Sequence, residues 1–206
     1  MTAGPEEVLG FWFPAQLSTD RADVTRQVEW WFRGGADREI IERFPPLLER
    51  AARGEVDAWS RAPRSRLALI ITLDQFARTI HRGTAGAFSQ DAKAAALTLE
   101  GLDNGHYAAL RSHWEKLFFA LPLGHSETPA HLDRVVELME ALVAEGPPEV
   151  RWWLEFSASQ ARRHRDVIGR FGRHPHRNAA LGRQSTPDEL EYLARGEFVH
   201  TRPVPR

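Results

Sequence analysis

Along most of the chain the apolar positions recur at intervals of three and four, the period of an amphipathic helix. No stretch alternates with period two for long enough to make a strand. Gly4-Pro5-Glu6-Glu7 opens a first helix, with Pro at an early position and acids in the first turn. Its apolar residues are Val8, Leu9, Phe11 and Trp12, and Pro14 is expected to stop it. A second helix holds Val24 to Phe32 and ends at Gly34-Gly35. Asp37 is expected to cap a third, with Ile40, Ile41, Phe44, Leu47 and Leu48, which Pro45-Pro46 must kink or split. A short fourth element centres on Val56 to Trp59, and a fifth, from Pro63 to His81, is closed by Gly83. Ser89 is placed as the cap of a sixth through Leu102, and a seventh carries Leu110 to Leu121. Thr128-Pro129 starts an eighth through Ala144, and after Gly146-Pro147-Pro148 a long ninth runs from Glu149 to Phe171. Thr186, with Glu189 three residues on, gives a capping-box start to a last short helix. The pattern predicts an all-α fold without a sheet, a single domain over residues 1–206.

Two of these helices carry polar groups on an inward face. At about 100° per residue, Leu67, Ile70, Ile71, Asp74, Arg78 and His81 share one stripe of the fifth helix. Leu69, Leu73, Phe76 and Ile80 lie opposite, so the helix is expected to be central and buried. Asp74 and Arg78, four apart, are placed for a local ion pair. On the ninth helix, Trp153, Ser157, Gln160, Ala161, His164, Ile168 and Phe171 form a similar stripe. Buried charges and amides need partners, and the simplest economy is that these groups meet one another or a ligand. Trp12, Trp31, Trp59, Trp114 and Trp153 fall within apolar patterns and are expected to pack in the core.

Charge and composition exclude several partners. The chain has 27 basic and 28 acidic residues, net −1, which gives no general attraction to nucleic acid or anionic membrane. The basic residues are almost all Arg, Lys appearing at Lys93 and Lys116 only. The absence of Cys removes disulfide and thiolate chemistry and fits a reducing cytoplasm. The opening MTAGPEEVLGFWF lacks the pattern of a signal peptide, and no apolar run approaches membrane-spanning length. A cytoplasmic protein is expected.

Against this neutral background residues 170–183, RFGRHPHRNAALGR, form a locally basic stretch with two Gly and one Pro. Its position after a long helix predicts a structured basic loop over residues 172–186, before the short C-terminal helix. Arg is the planar donor suited to phosphate and carboxylate. Arg78, Arg82, Arg173, Arg177 and Arg183 are candidate anion ligands, with Ser126 and Asn178 as neutral donors. A bland role is open to each: bonding helix-end carbonyls or acids such as Asp74, Asp91 and Glu127. His125, Glu127, His164 and His176 are of proton-transfer type. None has metalloprotease spacing, and no nucleophile-elbow pattern surrounds Ser126.

Several of these residues fall in motifs that resemble one known family. Residues 74–84, DQFARTIHRGT, followed by Ala87-Phe88 and Asp91, are similar to the DQFPRNxYRGT signature of domain-of-unknown-function family 924. Leu121 to Glu127 resembles that family's P-x-x-HSE. His164 to Asn178, with Leu181 to Thr186, resembles its HRxxIxRFGRFPHRNxxLGRxST, and Phe11-Trp12-Phe13 and Trp31-Phe32 match its aromatic pairs. The resemblance covers essentially the whole chain. It implies a compact, tetratricopeptide-like stack of about nine or ten helices, mainly bacterial in occurrence, and no established activity. Ala77, Thr79 and His81 stand where Pro, Asn and Tyr are usual, and His174 replaces a common Phe, which suggests that position 174 is not strictly core.

The expectation is then a polar pocket between the fifth helix, the His125 loop, the ninth helix and the Arg173–Arg183 segment. Asp74, Gln75, Arg78, Arg82, Ser126, Arg173, His176, Arg177, Asn178 and Arg183 are assigned to ligand binding. His125, Glu127 and His164 are assigned to proton transfer, with Asp74 and Glu127 orienting them. The ligand expected is a small phosphate- or carboxylate-bearing molecule, with no metal or other cofactor, and whether it reacts is left open. The competing expectation is a peptide- or protein-binding module whose internal Arg, His and Asp network is purely structural. Neither involves nucleic acid or membrane, and the sequence leaves oligomeric state open.

Overall fold

Prolines and acids set most of the helix starts where the pattern places them. In the computed structural model, which describes residues 3–13, 18–196 and 198–201, α1 is Pro5–Trp12 with Pro in its first turn. Pro14, its expected stop, lies outside the described residues. α2 (Arg21–Phe32) begins three residues before the expected Val24, because the Asp20 carboxylate accepts the N–H groups of Ala22 and Asp23. α3 (Asp37–Arg43) and α4 (Pro45–Ala52) are split at Phe44-Pro45, as a proline without an N–H requires. Asp37 does not cap α3: Ala36 holds that position, and the Asp37 carboxylate is bonded to Arg82 and Thr79 instead. A 3-10 turn at Asp57–Arg61 comes next.

The fifth predicted helix is interrupted. α5 (Pro63–Ile71) passes into a π-helical turn, Thr72–Phe76, before α6 (Ala77–Ile80). The extra residue of a π turn rotates the downstream residues by about 100° relative to an unbroken α-helix. The expected single stripe is therefore broken. Asp74 stays buried at 1% exposure, whereas the Arg78 side chain is 21% exposed and His81 is exposed. The α5 segment itself is as central as expected, with Leu67, Leu69, Ile70 and Ile71 wholly buried. α7 (Asp91–Asp103) is preceded by Gln90, not capped by Ser89, whose hydroxyl donates to Gly86 O.

By contact density the described chain divides into two compact units, residues 1–82 with 86–122, and residues 83–85 with 123–206. The boundary falls within α8 (His113–His125). The first unit is organised on aromatic rings: Phe118 lies 4.9 Å from Trp31 and 5.3 Å from Trp12, and Phe44 4.6 Å from Phe76. The Trp31 indole donates to Trp12 O at 2.9 Å, which satisfies a polar atom inside that cluster. Trp12, Trp31 and Trp114 are buried as expected, and Trp59 is half-buried. Where α7 packs on α5, Gly101 leaves room for the Phe119 ring and the Arg66 stem; a Cβ there would sit 2.3 Å from Phe119. Arg66, 4% exposed, donates to Leu97 O and Ser60 O.

The second unit is built on α9 (Pro129–Glu145) and α10 (Arg151–Phe171). They run antiparallel, since Arg162 reaches Glu140 while Arg165 reaches Asp133. Thr128 occupies the cap position of α9, but its side chain makes no cap bond; its N–H donates to Ser126 Oγ at 3.1 Å. α10 buries Trp153, Leu154, Ala158, Ala161, Val167 and Ile168, and ends at Gly172 in the left-handed conformation, φ 68°. A 3-10 turn at Pro175–Arg177 leads to α11 (Pro187–Arg195), which has the expected reciprocal capping box between Thr186 and Glu189. The architecture is all-α, with no strand among the described residues. No helix among them is long and apolar enough to cross a membrane.

Candidate functional site

The candidate residues fall in both units. Asp74, Gln75, Arg78 and Arg82 belong to the first. Arg78 forms a two-pronged pair with Asp91, at 2.8 and 3.1 Å, and donates to Ala87 O at 3.0 Å. The expected contact to Asp74 is present but looser, at 3.6 Å. Gln75 Nε2 donates to Asp74 Oδ2 at 2.6 Å. Burial alone would pull the Arg78 guanidinium down, but attraction to Asp74 and Asp91 outweighs it and holds the group above its ordinary value. Arg82 is a second two-pronged pair, with Asp37 at 2.7 and 2.9 Å, on a more exposed surface. Both guanidinium forks are thus occupied by carboxylates of the same unit.

The remaining candidates belong to the second unit and form one connected network. His125 is the last residue of α8 and not part of a loop, since the helix continues past Pro122. Glu127, just beyond, accepts the His174 N–H at 2.8 Å and both arms of Arg183 at 2.8 and 3.0 Å. Arg183 also donates to His174 O at 3.1 Å. Desolvation raises the Glu127 carboxyl, but the bonds from Arg183 and the His174 N–H outweigh it and hold it below the usual carboxylate range. A carboxylate so held is a weak base, and its chemistry suits orientation more than proton abstraction.

Arg173 is held on Glu189 by bonds of 2.6 and 2.7 Å and also reaches Gln184 O. Glu189 is thereby pushed down to about 2, chiefly by the Arg173 bonds and further by the Thr186 N–H. Asn178 Nδ2 donates to Ser185 Oγ at 3.0 Å and to Glu189 at 3.2 Å. Arg177, 5% exposed, donates from Nη2 to His125 O at 2.9 Å. Ser126 Oγ lies 2.9 Å from His131 Nδ1, a neighbour the sequence does not single out.

The histidines converge on His174. Its ring is wholly buried, and neither ring nitrogen has a hydrogen-bond partner among the described residues. His164 lies edge-on to it at 5.4 Å, and the His176 ring is also 5.4 Å away. Desolvation first, then the positive charges of Arg177, His164, His176 and His125, hold the His174 imidazole neutral far below its ordinary range. Position 174 is therefore core, contrary to what its departure from Phe suggests. His125, His164 and His176 are half-buried. Gln160, on the polar face of α10, donates to Val199 O at 2.6 Å, and Phe198 lies 6.2 Å from the His176 ring.

Sequence reasoning passes over Asp37 and Glu189 as arginine partners, because it assigns both to caps. Glu189 is in fact both at once, because its two oxygens serve the cap and Arg173 together. His174 is visible in the sequence only as an odd residue in an aromatic position.

Among solved structures, a protein of unknown function from Agrobacterium tumefaciens is 32% identical, with a TM-score of 0.73 over 93% of this chain and 97% of that one. No curated protein matches the chain. The family model described as bacterial protein of unknown function, DUF924, matches residues 8–197, and the chain belongs to that family.

Proposed function

We propose that the protein is a cytoplasmic binder of a small anionic molecule, held in the second unit through a phosphate or carboxylate group. Arg177 supplies the fixed cation, and His125, His164 and His176 supply imidazole donors. Ser126 stands beside them as a neutral donor, and His125 and His164 are the groups able to pass a proton to or from a bound molecule. The observation that carries the reading is His174, a sealed imidazole with neither nitrogen bonded, surrounded by groups that depress its proton affinity. A gathering of cation-forming side chains is unfavourable by itself and is common where an anion is recognised. Arg78, Arg82, Arg173 and Arg183 are withdrawn from the ligand in this reading, since each lies on an internal carboxylate. Arg183 with Glu127 positions the His174 backbone, and hence the 3-10 turn carrying His176 and Arg177.

Thermal melting with inorganic phosphate and with citrate tests it. At ten times Kd, mass action raises the melting temperature by about 3–6 °C for a protein of this size. His176→Gln weakens the shift, and Arg82→Gln leaves it unchanged. No shift with either anion at about 10 mM refutes the proposal.

A second reading is a tetratricopeptide-like peptide-binding module whose polar network is structural. The carboxylate partners of those four arginines favour it. Under it, anions leave the melting temperature unchanged.

A further inference from the structure

His174 sets a sealed imidazole in a segment that lies between helices. Its ring is wholly buried, with neither nitrogen bonded among the described residues. Charged and titratable groups face it from each neighbouring element. The end of α8 and the turn beyond it bring His125 and Glu127, and α10 brings His164. Its own 3-10 turn brings His176 and Arg177, and the stretch before α11 brings Arg183. Glu127 is the carboxylate of the set, and it bonds the His174 backbone N–H and the Arg183 fork, not the ring. With two imidazoles at 5.4 Å and Arg177 beside it, the ring is a poor place for a proton: a cation there is desolvated and repelled.

The segment that carries the ring, residues 172–186, has left-handed glycines near both ends, Gly172 at φ 68° and Gly182 at φ 63°. Its backbone bonds are local, from Arg177 to His174, Asn178 to Pro175, Leu181 to Arg177, Gly182 to Ala179 and Arg183 to Asn178. Side chains tie it outward: Arg173 and Asn178 to Glu189, Arg183 and the His174 N–H to Glu127, and Arg177 to His125 O. It can therefore lift without breaking the ladder of α10 before it or α11 after it. The carboxylates of these ties stay ionised in mild acid, since Glu127 is held below its usual range and Glu189 is pushed down to about 2. Between about pH 4.5 and 6.5 the ties keep their charge, whereas opening returns His174 to water and to its ordinary proton affinity.

We propose that residues 172–186 form an acid-opened flap, closed while the His174 ring is neutral and buried, and released when that ring takes a proton from solvent. One N–H bond forms at an imidazole nitrogen, and the proton returns to solvent on closing. Opening draws His174 and His176 away from His164, so the histidine cluster comes apart in acid.

Amide exchange of the full chain, followed by NMR at pH 7.5, 6.5 and 5.5 and divided at each pH by the chemical exchange rate, tests the flap. Protection at the His174, Asn178 and Leu181 amides is expected to lie about tenfold or more below that of Ala161 in α10, as local opening requires. It is expected to fall about tenfold further between pH 7.5 and 5.5, the effect of one imidazole that titrates near 6.5 when open. His174→Phe, folded by circular dichroism, loses that fall. Segment amides as well protected as Ala161 mean release by global unfolding alone and overturn the proposal. Protection that ignores pH overturns it too, as does a tenfold fall that survives in the variant. The first two comparisons are made on the wild type and decide the matter even if the variant does not fold.

Discussion

Replacing His174 with Phe is expected to stabilise the protein. The native ring is wholly buried, with neither nitrogen bonded among the described residues. Each unsatisfied buried polar group costs roughly 1–3 kcal/mol. Phe removes both nitrogens but adds volume, and overpacking costs about 1–3 kcal/mol where the surroundings do not relax. The net expectation near neutral pH is a gain of roughly 1–3 kcal/mol, or about 2–10 °C in melting temperature. Titration adds an independent signature. The folded ring is held neutral, so its proton affinity is lower than in the unfolded chain, and falling pH favours unfolding. The stability is fully present above the ordinary histidine value of about 6.5 and is lost as pH drops below it. At pH 5.5 that loss is about 1.4 kcal/mol in the wild type and absent in the variant. Chemical denaturation of both proteins at pH 7.5 and 5.5 reads both numbers. A variant less stable by about 1 kcal/mol or more refutes the expected gain, and a gap that does not widen in acid refutes the reading of the ring as a sealed neutral imidazole.

Three other substitutions probe the network. Glu127→Gln leaves the Arg183 fork without its charged acceptor and is expected to cost roughly 1–3 kcal/mol by urea melts. Because the Glu127 carboxyl is held low when folded, its contribution is present above about pH 4.5 and fades in acid. The variant therefore flattens part of the acid limb of the stability curve. Arg183→Lys keeps the charge but cannot span both Glu127 oxygens and His174 O; a loss of about 1 kcal/mol is expected, and an unchanged melt means charge alone matters. Asp91→Asn removes one side of the Arg78 pair and is expected to cost roughly 1–3 kcal/mol, with faster amide exchange around residues 85–91.

The features legible in the sequence are those decided within one turn of chain. Pro5, Pro45, Pro63, Pro129 and Pro187 all sit in first turns, and the Thr186 capping box forms as its spacing predicts. Errors arise where a distant partner outbids the local signal. Asp37 looks like a cap until Arg82, 45 residues on, takes its carboxylate. The π turn at 72–76 has no local signature and displaces every wheel position after it. Spacing cannot pair Glu127 with Arg183, 56 residues away, although both are candidates by residue type. Family resemblance picks out the 125–127 and 164–186 motifs of the second unit. It gives no hint that position 174, a Phe in the usual pattern, stays buried when it becomes His.

The dominance of Arg over Lys acquires a physical sense from these pairs. Asp91, Asp37, Glu189 and Glu127 each meet an arginine through both oxygens, a geometry that an ammonium cannot reproduce. Such forks fix orientation as well as distance, so they serve to hold irregular backbone, and the 172–186 segment is the least regular part of the second unit. Two of the four forks, Arg173 and Arg183, clamp that segment at its start and near its end. Between the clamps lie His174, His176 and Arg177, the residues that converge with His164. The basic stretch therefore divides by role. Arginines forked on carboxylates hold the turn at its two ends, and His174, His176 and Arg177 lie in the stretch so held.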